Sequence, residues 1–131
     1  MIAATSPLVL VVDDVADTRR LMRRVLERAD MRVAEAASGE EAIEAIAGER
    51  PDLVVLDLRL PGISGFEVAR WVRASSDPVI ARTVLLACSA SVQPEVEREA
   101  LDAGADAFEG KPFDVATFVE RIRKLIQQRP P

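Results

Sequence analysis

The stretch that most constrains this chain is Leu53–Gly65, LVVLDLRLPGISG. Leu53 to Leu56 is an unbroken apolar run that ends on one acid, Asp57, and Pro61, Gly62 and Gly65 then break the chain. A short apolar run, rich in branched side chains and bounded by turn residues, is the pattern of a parallel strand buried on both faces. Such a strand needs helices over both sides and crossover connections, which means an α/β layer arrangement. It delivers the Asp57 carboxylate to the rim of a sheet. Open α/β sheets place their ligand and reaction sites at the carboxyl ends of strands. Taken alone, Asp57 is either a structural strand-end cap or a reactive group.

The rest of the chain repeats the alternation. Pro7 starts a first strand, Leu8–Val12, which ends in Asp13-Asp14. A helix is expected over Val15–Arg28, with Leu21, Met22, Val25, Leu26 and Arg28 along one face and Arg19, Arg20, Arg23 and Arg24 outside. Arg32–Ala36 alternates and is read as an edge strand. Ser38 and Glu41 have capping-box spacing, opening a helix Glu40–Ala47 that turns Ala42, Ile43 and Ile46 inward and is closed by Gly48. The central strand is Asp52–Asp57. Ser64 and Glu67 make a second capping box, before a helix to about Ser75 with Phe66, Ala69 and Val72 inward. Thr83–Ala87 is the fourth strand and runs into Cys88-Ser89-Ala90-Ser91. Pro94 suits the first turn of the next helix, which carries Val96, Ala100 and Ala103 and stops at Gly104. Ala107–Gly110 is a short fifth strand leading to Lys111-Pro112-Phe113. Asp114 caps a last helix, Val115–Gln128, with Phe118, Ile122 and Leu125 inward. Met1–Ser6 and Arg129–Pro131 are expected as loose tails. Five strands alternating with five helices describe one domain over residues 7–128, a parallel sheet with right-handed crossovers and helices on both faces.

Composition excludes several chemistries. The chain has one cysteine, Cys88, and no histidine. That removes an intramolecular disulfide, Ser-His and Cys-His nucleophile pairs, the usual zinc sites and a phosphohistidine on this chain. The net charge of −5 and the lack of a basic run argue against direct nucleic-acid binding. No apolar run approaches the roughly 20 residues that span a bilayer. The opening MIAATSPLVL lacks the basic and long apolar regions of a signal peptide, so a cytoplasmic protein is expected. Lysines number two, Lys111 and Lys124, against 15 arginines, which makes each lysine worth a question.

Strand ends one, three, four and five bring Asp13-Asp14, Asp57, Ser89 and Lys111 to one rim. Each has a plain structural reading. Asp13-Asp14 could be a helix N-cap and a first-turn acid, Ser89 a turn residue, Lys111 a solvated cation and Phe108 a core residue. As independent accidents these would not fall together at the right strand ends. Three crowded carboxylates repel, so a cation must offset them or their pKa values rise. Hard oxygen donors without histidine or thiolate suit Mg²⁺. A carboxylate can act as nucleophile and form an aspartyl-phosphate, and phosphoryl transfer asks mainly for positioning and charge neutralisation.

VVDD at 11–14, LDLRLPGISG at 56–65, CSAS at 88–91 and KPF at 111–113 together resemble the receiver domain of two-component response regulators, over nearly the whole chain. The resemblance implies a CheY-like, flavodoxin-like (βα)5 fold with strand order 2-1-3-4-5. It implies that Asp57 takes a phosphoryl group from a histidine kinase or histidine phosphotransfer protein. Mg²⁺ would be held by Asp13 (through water), Asp14, Asp57 and the backbone carbonyl of Arg59. Ser89 would bond the phosphoryl oxygen, Lys111 would pair with it, and the Lys111–Pro112 bond would be cis. Ser89 and Phe108 would form the switch, read by a protein target on the surface of the fourth helix, fifth strand and fifth helix. Four positions depart from the commoner pattern or flank the site. Ser89 replaces threonine, Phe108 replaces tyrosine, and Arg59 and Ser91 occupy the positions that govern water access.

The resemblance implies a signalling phosphoacceptor rather than an enzyme, monomeric or dimerising on phosphorylation. The chain is read as a stand-alone receiver or as a piece of a hybrid kinase or larger regulator. An aspartyl-nucleophile phosphatase of the haloacid-dehalogenase type would carry Asp-x-Asp and a cap domain, whereas the acids here are adjacent. A flavin-binding or degenerate scaffold would lack the acidic set or show a Gly/Ser/Thr-rich phosphate loop after strand one.

Overall fold

The computed structural model describes residues 1–129. Five strands, β1 (Leu8–Val12), β2 (Arg32–Ala36), β3 (Leu53–Asp57), β4 (Val84–Ser89) and β5 (Ala107–Gly110), form one sheet in the order β2-β1-β3-β4-β5. Every neighbouring pair is parallel. The helices are α1 (Ala16–Arg28), α2 (Gly39–Glu49), α3 (Gly65–Arg73), α4 (Pro78–Ala81), α5 (Pro94–Ala103) and α6 (Val115–Gln128). None among the described residues is long and apolar enough to cross a membrane.

Strand period sorts the core into two layers. Val9, Val11, Leu53, Val55 and Leu86 face Met22 and Leu26 of α1 and Phe118 and Ile122 of α6. Leu10, Val12, Val54, Leu56 and Leu85 face Ala42 and Ile46 of α2 and Val68, Ala69 and Val72 of α3. A third, smaller cluster under α5 joins Leu58, Ala87, Ala100 and Ala105, with Phe66, Val96 and Phe108 packed against it. β3 is buried along its whole length because it lies mid-sheet between both layers.

Several boundaries differ from the sequence expectations, each for a local reason. Gly48 lies inside α2; the left-handed turn falls on Arg50, at φ 49°, whose guanidinium bonds Asp77. A short helix α4 follows Asp77, which caps it by accepting from the Val79 N–H. β4 runs to Ser89, paired with Gly110, where the strand was expected over Thr83–Ala87 and Ser89 had a turn reading. Asp52 lies outside β3, and its carboxylate accepts from Leu8 N–H at 2.8 Å. Leu21 of α1 is exposed at 58% rather than inward. Within the expected tails, Ser6 closes a turn onto Ala3 and Arg129 pairs with Asp52. Pro130 and Pro131 lie outside the described residues.

Two glycines position the loop between β3 and α3. A Cβ on Gly65 would sit 2.4 Å from the Asp57 carbonyl oxygen, so α3 starts hard against the end of β3. A Cβ on Gly39 would sit 2.4 Å from the Ile63 carbonyl, so the β3–α3 loop lies directly on the start of α2. The Ser64–Glu67 capping box forms as expected and fixes where α3 begins.

Candidate functional site

The carboxyl ends of β1 and β3 deliver Asp13 and Asp57, buried to 1% and 8% exposure, with Asp14 exposed beside them. Each of the three offers one oxygen, and these oxygens lie within 4.8 Å of one another. The donor set is all oxygen. Cys88, the residue paired with Asp57 across the ladder, is no competitor, because burial pushes its thiol far up. This chemistry suits a hard divalent cation.

Lys111 leaves β5 and inserts its ammonium between the two buried acids, 2.7 Å from Asp13 Oδ2 and 3.3 Å from Asp57 Oδ2. Its N–H also donates to the Ser89 carbonyl at 2.8 Å, tying the β5 exit to β4, and the Lys111–Pro112 bond is cis. Asp57 Oδ1 accepts from the Arg59 N–H at 3.2 Å, so Arg59 meets the acid here through its backbone. Burial raises the Asp57 pKa and the charge of Asp13 adds to it, against the opposing pull of Lys111. Burial alone would lower Lys111, but the hydrogen bond to Asp13 and the charge of Asp57 outweigh it and hold the ammonium above its ordinary value.

Of the residues singled out in the sequence, Asp13, Asp14, Asp57 and Lys111 converge directly. Ser89 is buried at the end of β4, and its hydroxyl accepts from the Ser91 N–H at 3.1 Å. Phe108 sits half-buried on β5 against the cluster of Leu58, Ala87 and Ala100. The N-cap reading of the acid pair is a correction: Val15 is the N-cap of α1 with no side-chain cap, and Asp13 Oδ1 accepts from Val15 N–H instead.

Arg19 was read as an outward cation. It folds back instead and donates to the Asp13 carbonyl at 2.7 Å. The signal was present, since Arg19, Met22 and Leu26 share the i, i+3, i+7 stripe that faces the sheet.

A family model, the response regulator receiver domain, matches residues 9–123. The chain belongs to this family. The receiver is 38% identical over 125 residues to the transcriptional regulatory protein PrrA of Mycobacterium tuberculosis, covering 95% of this chain and 52% of PrrA. It is 37% identical over 123 residues to the response regulator MprA of Mycobacterium avium, covering 94% of this chain and 52% of MprA. The receiver thus spans about half the length of the curated relatives it matches. Among solved structures it resembles a putative response regulator from Chloroflexus aurantiacus, with TM-score 0.88 and 30% identity over 95% of this chain and 100% of that one. It also resembles the Vibrio cholerae chemotaxis protein CheY4, with TM-score 0.86 and 29% identity over 92% of this chain and 99% of that one. The receiver therefore has the CheY-like fold, with the strand order that the family implies.

Proposed function

We propose that this receiver is a phosphoacceptor of a two-component or phosphorelay system, phosphorylated on Asp57 by a histidine kinase or histidine phosphotransfer protein. The observation that carries the reading is a strand-end carboxylate with an ammonium at 3.3 Å and an N–H at 3.2 Å, beside two further acids. The Lys111 ammonium favours the anionic, nucleophilic form of Asp57 against burial. An Asp57 oxygen attacks the phosphorus of the partner's phosphohistidine. The O–P bond forms as the P–N bond breaks, and the departing imidazole keeps the electron pair and takes up a proton. Charge on the phosphoryl oxygens is met by Lys111, by the Ser89 hydroxyl and by the N–H groups of the loop after Asp57.

The same acids would hold Mg²⁺ through Asp13 (by way of water), Asp14, Asp57 and the Arg59 carbonyl. Bound there, Mg²⁺ supplies positive charge against the carboxylates and the phosphoryl group. The switch follows from the hydrogen bond that Ser89 already makes. A dianion at Asp57 draws the hydroxyl from the Ser91 N–H, and the β4–α5 loop moves with it. Ala87, two residues back, pairs with Phe108 across the ladder. Phe108 then turns inward, and the surface of α5, β5 and α6 changes for a protein target. This role is signalling rather than turnover, belongs to residues 7–128, and suits a cytoplasmic monomer or a phosphorylation-dependent dimer. It serves equally a receiver acting by itself or one joined to an output domain.

Intact mass after incubation with Mg²⁺ and acetyl phosphate tests the reading. Wild type is expected to gain one phosphoryl group, with none on Asp57→Asn and none in the presence of a chelator. Equal gain by Asp57→Asn overturns the assignment of the acceptor.

A further inference from the structure

Asp13 is held through each of its polar groups. Its N–H donates to the Ala36 carbonyl at 3.1 Å. Its carboxylate oxygens accept from Val15 N–H at 2.9 Å and from the Lys111 ammonium at 2.7 Å. Its carbonyl accepts from the Arg19 guanidinium at 2.7 Å. That carbonyl belongs to the peptide joining Asp13 to Asp14. The peptide lies past the end of β1, where the sheet ladder no longer sets its plane. Whatever fixes this plane fixes the direction in which Asp14 leaves the strand.

Arg19 is itself oriented. Its Nε donates to Glu35 Oε1 at 3.2 Å, and the other Glu35 oxygen accepts from Arg23 Nε at 2.6 Å. Glu35 stands on the edge strand β2. A guanidinium is suited to this task, because its rigid planar fork presents separate N–H groups to a carbonyl and a carboxylate at once. The Arg19 side chain is only 18% exposed, so water does not readily replace it on the carbonyl of a buried residue.

We infer that Arg19, oriented by Glu35, is a positioning residue for the cation site, setting the Asp13–Asp14 peptide so that both carboxylates converge with Asp57. The inference rests on the proposed cation site. A role confined to fastening α1 onto β2 makes a different prediction. Arg23 donates to the same Glu35, and to Glu27, without touching the acid loop. It therefore serves as an internal control.

The test is a Mn²⁺ titration followed by the paramagnetic resonance of the free ion, with a urea unfolding curve for each variant. Mn²⁺ shares the oxygen preference expected of the site. Arg19→Met is expected to raise the Mn²⁺ dissociation constant roughly ten-fold, the usual scale for losing a group that orients a ligand. Arg19→Lys keeps one donor for the carbonyl without the fork and falls between wild type and Arg19→Met; it carries the test if Arg19→Met does not fold. Arg23→Met loses stability but keeps the wild-type dissociation constant. Wild-type affinity in Arg19→Met or Arg19→Lys, or equal weakening in Arg23→Met, overturns the positioning role while leaving the cation site intact. Absence of saturable Mn²⁺ binding in wild type overturns the site and the inference together.

Discussion

Asp57 carries opposed influences, and the balance is measurable. Burial, reinforced by Asp13, outweighs Lys111 and lifts its pKa above the unfolded value of about 3.9. The folded chain therefore binds this proton more tightly than the unfolded chain. The stability linked to it is full below the unfolded pKa and is lost as pH rises through the folded pKa. Without divalent cations, Asp57→Asn is expected to unfold at higher urea than wild type at pH 7, with the two converging toward pH 4. A lower midpoint for Asp57→Asn at pH 7 contradicts the balance described. Arg59 is proposed to act on a different step. Its N–H reaches Asp57 through the backbone and survives truncation, while its side chain is exposed two residues after Asp57. Arg59→Ala is expected to change the decay of the phosphoprotein several-fold, on the order of 1 kcal/mol in barrier, and to leave the phosphorylation yield nearly unchanged. Identical decay rates would reject that role. Asp57, Asp13, Asp14 and Lys111 were legible because each ends a strand or follows one within two residues. Arg19 was missed because an arginine in a run of arginines reads as solvated, although its position on the inward stripe of α1 said otherwise.

At the scale of elements, the site depends on close approaches that no hydropathy pattern reports. Gly65 lets α3 begin against the Asp57 carbonyl, a backbone atom that cannot yield to a Cβ 2.4 Å away. Gly65→Ala is expected to cost about 3 kcal/mol, the upper part of the range for overpacking, read as a lower urea midpoint with an unchanged slope. A loss under about 0.5 kcal/mol, the ordinary range of surface substitutions, contradicts this contact. The strands, the capping box of α3 and the Pro94 and Asp114 starts of α5 and α6 were legible because period and caps act locally. The end of α2 was not. The glycine rule points to Gly48, but the helix runs on to Glu49, and Arg50 takes the left-handed conformation while its side chain bonds Asp77, the N-cap of α4. That contact spans 27 residues and is invisible to a local signal. α4 was overlooked because a four-residue helix has no periodicity to detect, although Asp77-Pro78 is a cap followed by a favoured first residue.

At the scale of the whole molecule, the site exists only when the sheet does. Lys111 meets Asp13 across 98 residues and Asp57 across 54, so no fragment brings the three together. Cation binding should therefore stabilise the folded state as a whole. Mg²⁺ at ten times its dissociation constant is expected to add about 1.4 kcal/mol to unfolding, and the same concentration should leave Asp14→Asn nearly unmoved. A shift of equal size in both would place the stabilising ion elsewhere. The central claim is that convergence of these strand ends makes Asp57, and neither of its two acidic neighbours, the phosphoacceptor. The most direct measurement is borohydride trapping of the protein phosphorylated in Mg²⁺ and acetyl phosphate, followed by peptide mapping. Hydride reduces an acyl phosphate to an alcohol and releases phosphate, turning phosphoaspartate into homoserine. Homoserine at position 57 alone is the predicted result; homoserine at position 13 or 14 would contradict the account.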